Sequence, residues 1–328
     1  MSFILRRLVF YAVAAWVALT INFFIPRAIP GNAVQSVMAK FPNLQPSAYK
    51  ALEALLGVGH PGSIWHQYVS YLNDIFHFNF GTDVSQYPAP VSSLLAQTLP
   101  WTITLVGVAT VIAFLIGTAL GIVAGWRHGG TLDRVLPGLM FLQAIPYFFF
   151  ALILVELLAI KTQIFPTGQG YSDGLIPGWH WDFISSALYH SALPALTIVL
   201  TSIAGWMLQM RNVMITTIGE DYVIAAQAKG LPNRRVIYTY AARNALLPQL
   251  QGFGLAVGFV VSGAIVMEIV FGYPGIGLLL LNAVTSNDYP LMQAIFLVIT
   301  FTVLLANLIV DMIIVVADPR ARTMEAAS

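Results

Sequence analysis

A chain of 328 residues with 9% charged and 58% apolar side chains departs far from the roughly 25% charge of soluble domains, which excludes an ordinary soluble enzyme. The formal net charge of +1 gives no reason to propose a nucleic-acid partner, because phosphate binding needs a dense basic patch. With no cysteine in the chain, disulfides, thiolate metal sites and a cysteine nucleophile are excluded as well.

In chain order, apolar runs long enough to cross a hydrocarbon layer of about 30 Å lie at residues 8–25, 99–126, 136–160, 193–209, 249–271 and 291–317. They predict an all-α polytopic membrane protein with six transmembrane helices embedded in a lipid bilayer. The first run follows Arg6 and Arg7 as a secretory signal would, but Pro26, Arg27 and Pro30 stand where small cleavage-site residues belong. It reads as an uncleaved span.

Lys and Arg in short loops resist translocation and set orientation. An N-terminus inside places eleven basic residues in cytoplasmic segments and only Arg27, Lys40, Lys50 and Lys161 on the other side. Both termini are therefore expected in the cytoplasm. Two connections are too long to be turns. Residues 27–98 form an extracytoplasmic segment between spans 1 and 2, with helices expected at 47–56 and 63–76 and a docking subdomain as its reading. Residues 212–247 form a moderately polar cytoplasmic loop inside a five-span core at 99–317, and 318–328 is a cytoplasmic tail.

Missing motifs constrain the energy source. A phosphate-binding P-loop needs Gly-Lys before Ser or Thr, and the four lysines follow Ala39, Tyr49, Ile160 and Ala228. H-E-x-x-H is absent too, which disfavours a membrane metalloprotease.

The most informative segment runs from Glu220 through Asp221, Tyr222, Ala225, Ala226, Ala228, Lys229 and Gly230 to Leu231 and Pro232. Acidic residues at its start and Lys229 near its end suit a helix dipole, and Gly230 can take the left-handed conformation that ends a helix. Pro232 then suits the first turn of a second helix. The pattern reads as a helical bracket with small residues that leave room for another protein, or, on residues alone, as a plain solvated hairpin.

Asp221-Tyr222-Val223, Ala228-Lys229-Gly230-Leu231 and Arg243-Asn244-Ala245-Leu246-Leu247-Pro248 resemble the EAA loop of ATP-binding-cassette importer permeases, in their dipeptide and oligopeptide branch. The resemblance extends through Phe3 to Arg7, Pro30-Gly31-Asn32, Leu99-Pro100-Trp101-Thr102, Phe165-Pro166-Thr167-Gly168, His190 to Thr197, Glu268 to Gly277, and Asp318-Pro319-Arg320. Asn32 stands where the family usually has Asp, and Gln227 where a basic residue is common. The resemblance implies a permease subunit of a peptide importer in the bacterial inner membrane. It implies as partners a homologous second permease, two ATP-binding subunits and an extracytoplasmic substrate-binding protein. Glu220 to Leu231 would couple to the ATPases, which would carry ATP and magnesium, while this chain would bind no cofactor or metal and have no catalytic residue. Nickel chelates and oligosaccharides are alternative cargo.

Glu156, Glu268 and Asp311 fall within or beside predicted spans, where an ionisable group suggests a pathway or a partner. Glu268 is a gate or pathway candidate, and the three together are the basis of the alternative reading, an ion-coupled secondary transporter. Pro146, with Pro137 and Pro194, is expected to kink a span and line a cavity. Gly117, Gly121 and Gly125 share a helix face and predict close helix packing. His60, His66, His77, His128, His180 and His190 lack metal-ligand spacing.

Overall fold

The computed structural model describes residues 3–28, 63–83, 89–258, 260 and 265–317. In chain order its helices are α1 (Phe3–Ala28), α2 (Ile64–Phe76), α3 (Val91–Trp126), α4 (Thr131–Ala144) and α5 (Tyr147–Leu154), which runs on as a π-helical stretch Val155–Lys161. They continue with α6 (Trp181–Ile218), α7 (Asp221–Ala228), and a turn Asn233–Arg235 leading through a π-helical stretch Val236–Ala241 into α8 (Ala242–Gly258). The remainder are α9 (Ile265–Val270), α10 (Ile276–Thr285) and α11 (Tyr289–Ala317). Among the described residues the only β pairing is an isolated bridge between Thr82 and Pro90.

The protein is an all-α polytopic membrane protein. α3 shows why helix wins: it is rich in Val, Ile and Thr, which favour strands in water, yet in lipid a lone segment satisfies its backbone only as a helix. Sequence stretches within α1, α3, α6 and α11 are long and apolar enough to cross a membrane. The run at 136–160, read as one span, is divided between α4 and α5, which are bent by 96° at the break between them. Pro146 explains the break, because it disfavours helical backbone at the residue before it; Ile145 is extended at φ −73°, ψ 126°. By contrast, α4 passes through Pro137 and α6 through Pro194 without interruption. The run at 249–271 is covered by α8, Val260 and α9, with residues 259 and 261–264 outside the described residues.

The chain divides into two units, residues 1–101 with 274–305, and residues 102–273 with 306–328. In the first, α2 lies against α1: Thr20 Oγ1 and the Tyr68 hydroxyl are 2.7 Å apart, and the Phe23 ring meets Tyr68 and Tyr71. Asn22 Nδ2 donates to Tyr71 and to the carbonyl of Gln293 on α11. The predicted helix at 63–76 is thus present, capped by Ser63, while the one expected at 47–56 lies outside the described residues. The loop after residue 271 holds α10, which is apolar but too short for a span.

In the second unit, α3 and α6 touch backbone to backbone. A Cβ on Gly117 would stand 2.5 Å from Trp206 Cβ, one on Gly121 2.6 Å from the Met207 carbonyl oxygen, and one on Gly125 2.5 Å from Met214 Cβ. The small-residue face therefore packs helices, as its spacing predicts. Gln249 of α8, fully buried, donates to Thr118 of α3 at 3.1 Å and to the Trp206 carbonyl of α6 at 3.0 Å, which pins a third helix to the pair.

Candidate functional sites

The bracket follows α6 directly. Glu220 stands at the N-terminus of α7 in extended conformation and Asp221 occupies the first turn, where negative charge meets the positive end of the helix. Gly230 ends the helix at φ 72°, its N–H donating to the Gln227 carbonyl at 2.9 Å while that of Leu231 reaches the Ala226 carbonyl at 3.4 Å. Pro232 then opens the turn Asn233–Arg235.

The inner face of the bracket is held by a core. Val223 and Ala226 are buried with Val236, Ala241, Ala242 and Ala245, against Met210 and Met214 of α6 and Ile122 of α3. Leu231 packs at its edge. Glu220, Asp221, Tyr222, Ala225, Ala228, Lys229 and Gly230 are exposed. Ala226, expected beside Ala225 and Ala228 among the small residues open to another protein, is 3% exposed and lies in this core, because each residue turns about 100° along a helix of 3.6 residues per turn. The exposed face instead carries Tyr222, Ala225 and Lys229 at a spacing that places them on one side.

A second feature lies at the broken span. A cavity of about 450 Å³ is lined by Thr110 of α3, Gln143, Pro146 and Tyr147 at the break, and Thr201 and Ser202 of α6, among others. Its described lining contains no Asp, Glu, Lys, Arg or His. Thr110, Gln143, Tyr147, Thr201 and Ser202 bring hydroxyl and amide side chains to this lining. Such a wall offers neutral donors and acceptors.

Glu268 does not line that cavity. It is fully buried and accepts a hydrogen bond from Thr102 Oγ1 at 2.6 Å, and its carbonyl accepts from Tyr273 N at 2.8 Å. The Tyr273 hydroxyl stands 2.9 Å from Ser191 Oγ. His190 bonds the Gly168 carbonyl through Nδ1 at 2.8 Å and meets Ser172 Oγ through Nε2 at 3.2 Å, and Gln169 N donates to the Phe271 carbonyl at 2.8 Å. Segments separated in sequence, around 168, 190 and 268–273, are thereby knotted together at the start of α6. The bracket lies beyond the other end of α6, roughly 42 Å from His190 at 1.5 Å per residue.

Glu156 is exposed and pairs with Lys161 at 3.5 Å, and Asp311 is half-buried on α11. The structure does not bring Glu156 and Glu268 together as a relay: each has its own local partner. Among the described residues no group of three or more His, Cys, Asp or Glu is placed to hold a metal; His60 lies outside them. Sequence reasoning overlooked Gln249 and Asp133. Asp133 on α4 bonds Arg211 of α6 and His128, a contact with no sequence signal beyond an acidic residue in a first helical turn.

Comparison with known proteins agrees with this architecture. The family described as "Binding-protein-dependent transport system inner membrane component" matches residues 117–323, a stretch that holds the bracket and the cavity lining other than Val106 and Thr110. The chain is 31% identical to the dipeptide transport system permease protein DppB of Escherichia coli (strain K12), over 98% of this chain and 99% of the relative. It is 30% identical to the oligopeptide transport system permease protein AppB of Bacillus subtilis (strain 168), over 92% of each. It is also 30% identical to the di/tripeptide transport system permease protein DppB of Pseudomonas aeruginosa (strain UCBPP-PA14), over 98% of this chain and 99% of the relative. The chain therefore belongs to the family of binding-protein-dependent transport system inner membrane components.

Proposed function

We propose that this protein is one of two permease subunits of an ATP-driven peptide importer and forms half of the translocation pathway. Relatives whose names specify dipeptide, di/tripeptide and oligopeptide transport cover nearly the whole chain, which supports peptide cargo. The observation that carries the coupling role is the two-faced bracket: an exposed surface of Tyr222, Ala225, Ala228 and Lys229 backed by a core shared with α3 and α6. A force applied to that surface is delivered to spanning helices through packed side chains.

On this reading Glu220 to Leu231 docks on one of two cytoplasmic ATP-binding subunits, which hold ATP and magnesium, and the chain itself performs no hydrolysis. A homologous permease completes the pathway, and a substrate-binding protein delivers cargo on the far side, where residues 27–98 contribute a docking surface. Both termini are cytoplasmic, and the run at 249–271 serves as the fifth of six spans. The cavity beside Pro146 is part of the path, and Glu268, held by Thr102, stabilises the outer end of the fifth span.

The test uses the assembled complex in proteoliposomes. Gly230→Val places a β-branched residue at φ 72°, a conformation costing about 1–2 kcal/mol for ordinary L-residues, and beyond its chain neighbours no heavy atom of this chain lies within 4 Å of a Cβ there, so backbone strain and not a clash within the chain is the expected cause. Gly230→Val and Ala228→Arg are expected to insert normally while transport and the ATPase stimulation by loaded binding protein fall together. Gly230→Asn, which tolerates left-handed backbone, should retain most activity. Wild-type transport by both Gly230→Val and Ala228→Arg would reduce the bracket to a plain hairpin.

A further inference from the structure

The basic end of α6 does more than anchor the bracket. Arg211 follows Met210 directly, and Met210 and Met214 are fully buried against Val223 and Ala226 of the bracket. On the other side, the backbone of this turn presses on α3, where a Cβ on Gly121 would stand 2.6 Å from Met210 Cβ and one on Gly125 3.0 Å from the Arg211 carbonyl oxygen. The end of α6, the end of α3 and the bracket form one packed block. The Arg211 side chain, however, leaves that block and grips α4: Nε donates to Asp133 Oδ1, and Nη2 donates to Oδ2 at 3.1 Å.

Two parallel N–H···O bonds fix geometry as well as charge, and the two side chains are only 17% and 10% exposed. His128 closes the group from the α3–α4 turn, with Nδ1 2.9 Å from Asp133 Oδ2, and Gly129 N donates to the same oxygen at 2.9 Å. Asp133 stands at the first turn of α4, and Gln143 and Ala144 at the far end of that helix line the cavity at the break. α4 is thus a rod of about 21 Å at 1.5 Å per residue, packed along its middle through Leu136 against Met207 of α6, tied at its first turn by the ion pair to the block that carries the bracket, and lining the cavity at its far end.

We propose that the Asp133–Arg211 pair is the mechanical link through which movement of the bracket is transmitted to the cavity at the broken span. The two are positioning residues: they contact neither nucleotide nor cargo and act by fixing α4 to α6. This inference rests on the importer reading.

The absence of native cysteine supplies the probe. Ala144→Cys, at the cavity, is labelled with a maleimide in the complex with its ATP-binding subunits, nucleotide-free and then trapped with ATP. The labelling rate should differ by at least about fivefold between the two states, the low end of ordinary coupling between sites. Adding Asp133→Asn should leave assembly and basal ATP hydrolysis in place and abolish the difference, and the charge swap Asp133→Arg with Arg211→Asp should restore it in part. A merely structural pair would alter assembly or stability without making the label indifferent to nucleotide. If Asp133→Asn does not assemble, Arg211→Lys carries the same test, because it keeps the charge and loses the two-pronged geometry. An undiminished nucleotide response in the variant, or an assembled swap that remains unresponsive, overturns the link. A wild-type complex with no nucleotide response overturns the importer reading instead.

Discussion

Gly121 and Thr102 show how tightly single positions are specified. Any side chain at Gly121 meets the Met207 carbonyl oxygen at 2.6 Å, and backbone cannot yield as a flexible side chain would. Gly121→Ala should destabilise the protein by about 1–3 kcal/mol, the usual cost of overpacking, read as a lower melting temperature and lower yield in detergent. Thr102 gives Glu268 a hydrogen bond in a fully buried setting. Thr102→Val keeps the shape and removes the donor, so it should cost about 1–3 kcal/mol, whereas Thr102→Ser should remain near wild type in the same thermal assay. Equal melting temperatures for the two variants would show that the bond contributes nothing.

Among the elements, the broken span carries the clearest expectation. Proline in a helix interior is unfavourable by about 3 kcal/mol, so its replacement removes the main local reason for α4 and α5 to separate. Pro146→Leu should let the helix continue through Ile145, reshape the cavity that Pro146 lines, and lower transport while assembly persists. Labelling of a single cysteine at Ser202, on the opposite wall, is the direct measurement: its rate should drop in Pro146→Leu. An unchanged rate would mean that packing of α4 and α5 on α6, and not the proline, fixes the bend. The bracket is different in kind, since α7 has only eight residues, below the length at which an isolated helix is stable in water. Its conformation depends on the core beneath Val223 and Ala226.

At the scale of the whole molecule, orientation and the division of labour are testable together. Single cysteines at Ser85 and Ser286 should label from outside intact cells, and one at Ser328 only after permeabilisation. Outside labelling at Ser328 would overturn the six-span arrangement. The purified chain alone should hydrolyse no ATP, because no lysine lies in a P-loop, and should carry no peptide into liposomes. Uptake by the chain alone under an ion gradient would favour the secondary transporter.

The sequence by itself determined the membrane class, the Gly230 helix stop and the glycine face at 117–125, because each follows from a local quantity: apolar run length, a single residue's backbone freedom, or residues repeating on one helix face. The ordered motifs likewise marked the bracket before any geometry was known. Only the tertiary structure decided that Ala226 faces inward while Ala225 and Ala228 face outward, since the direction of a helix face depends on what packs beside it. The 96° break needed it too: Pro146, Pro137 and Pro194 look alike in sequence, and neighbouring helices determine which proline interrupts a span. Likewise, Asp133 and Arg211, or Gln249 and Thr118, meet only once α3, α4, α6 and α8 are packed. Hydrogen bonds between residues far apart in the chain are consequences of the fold and leave no periodic trace in the sequence.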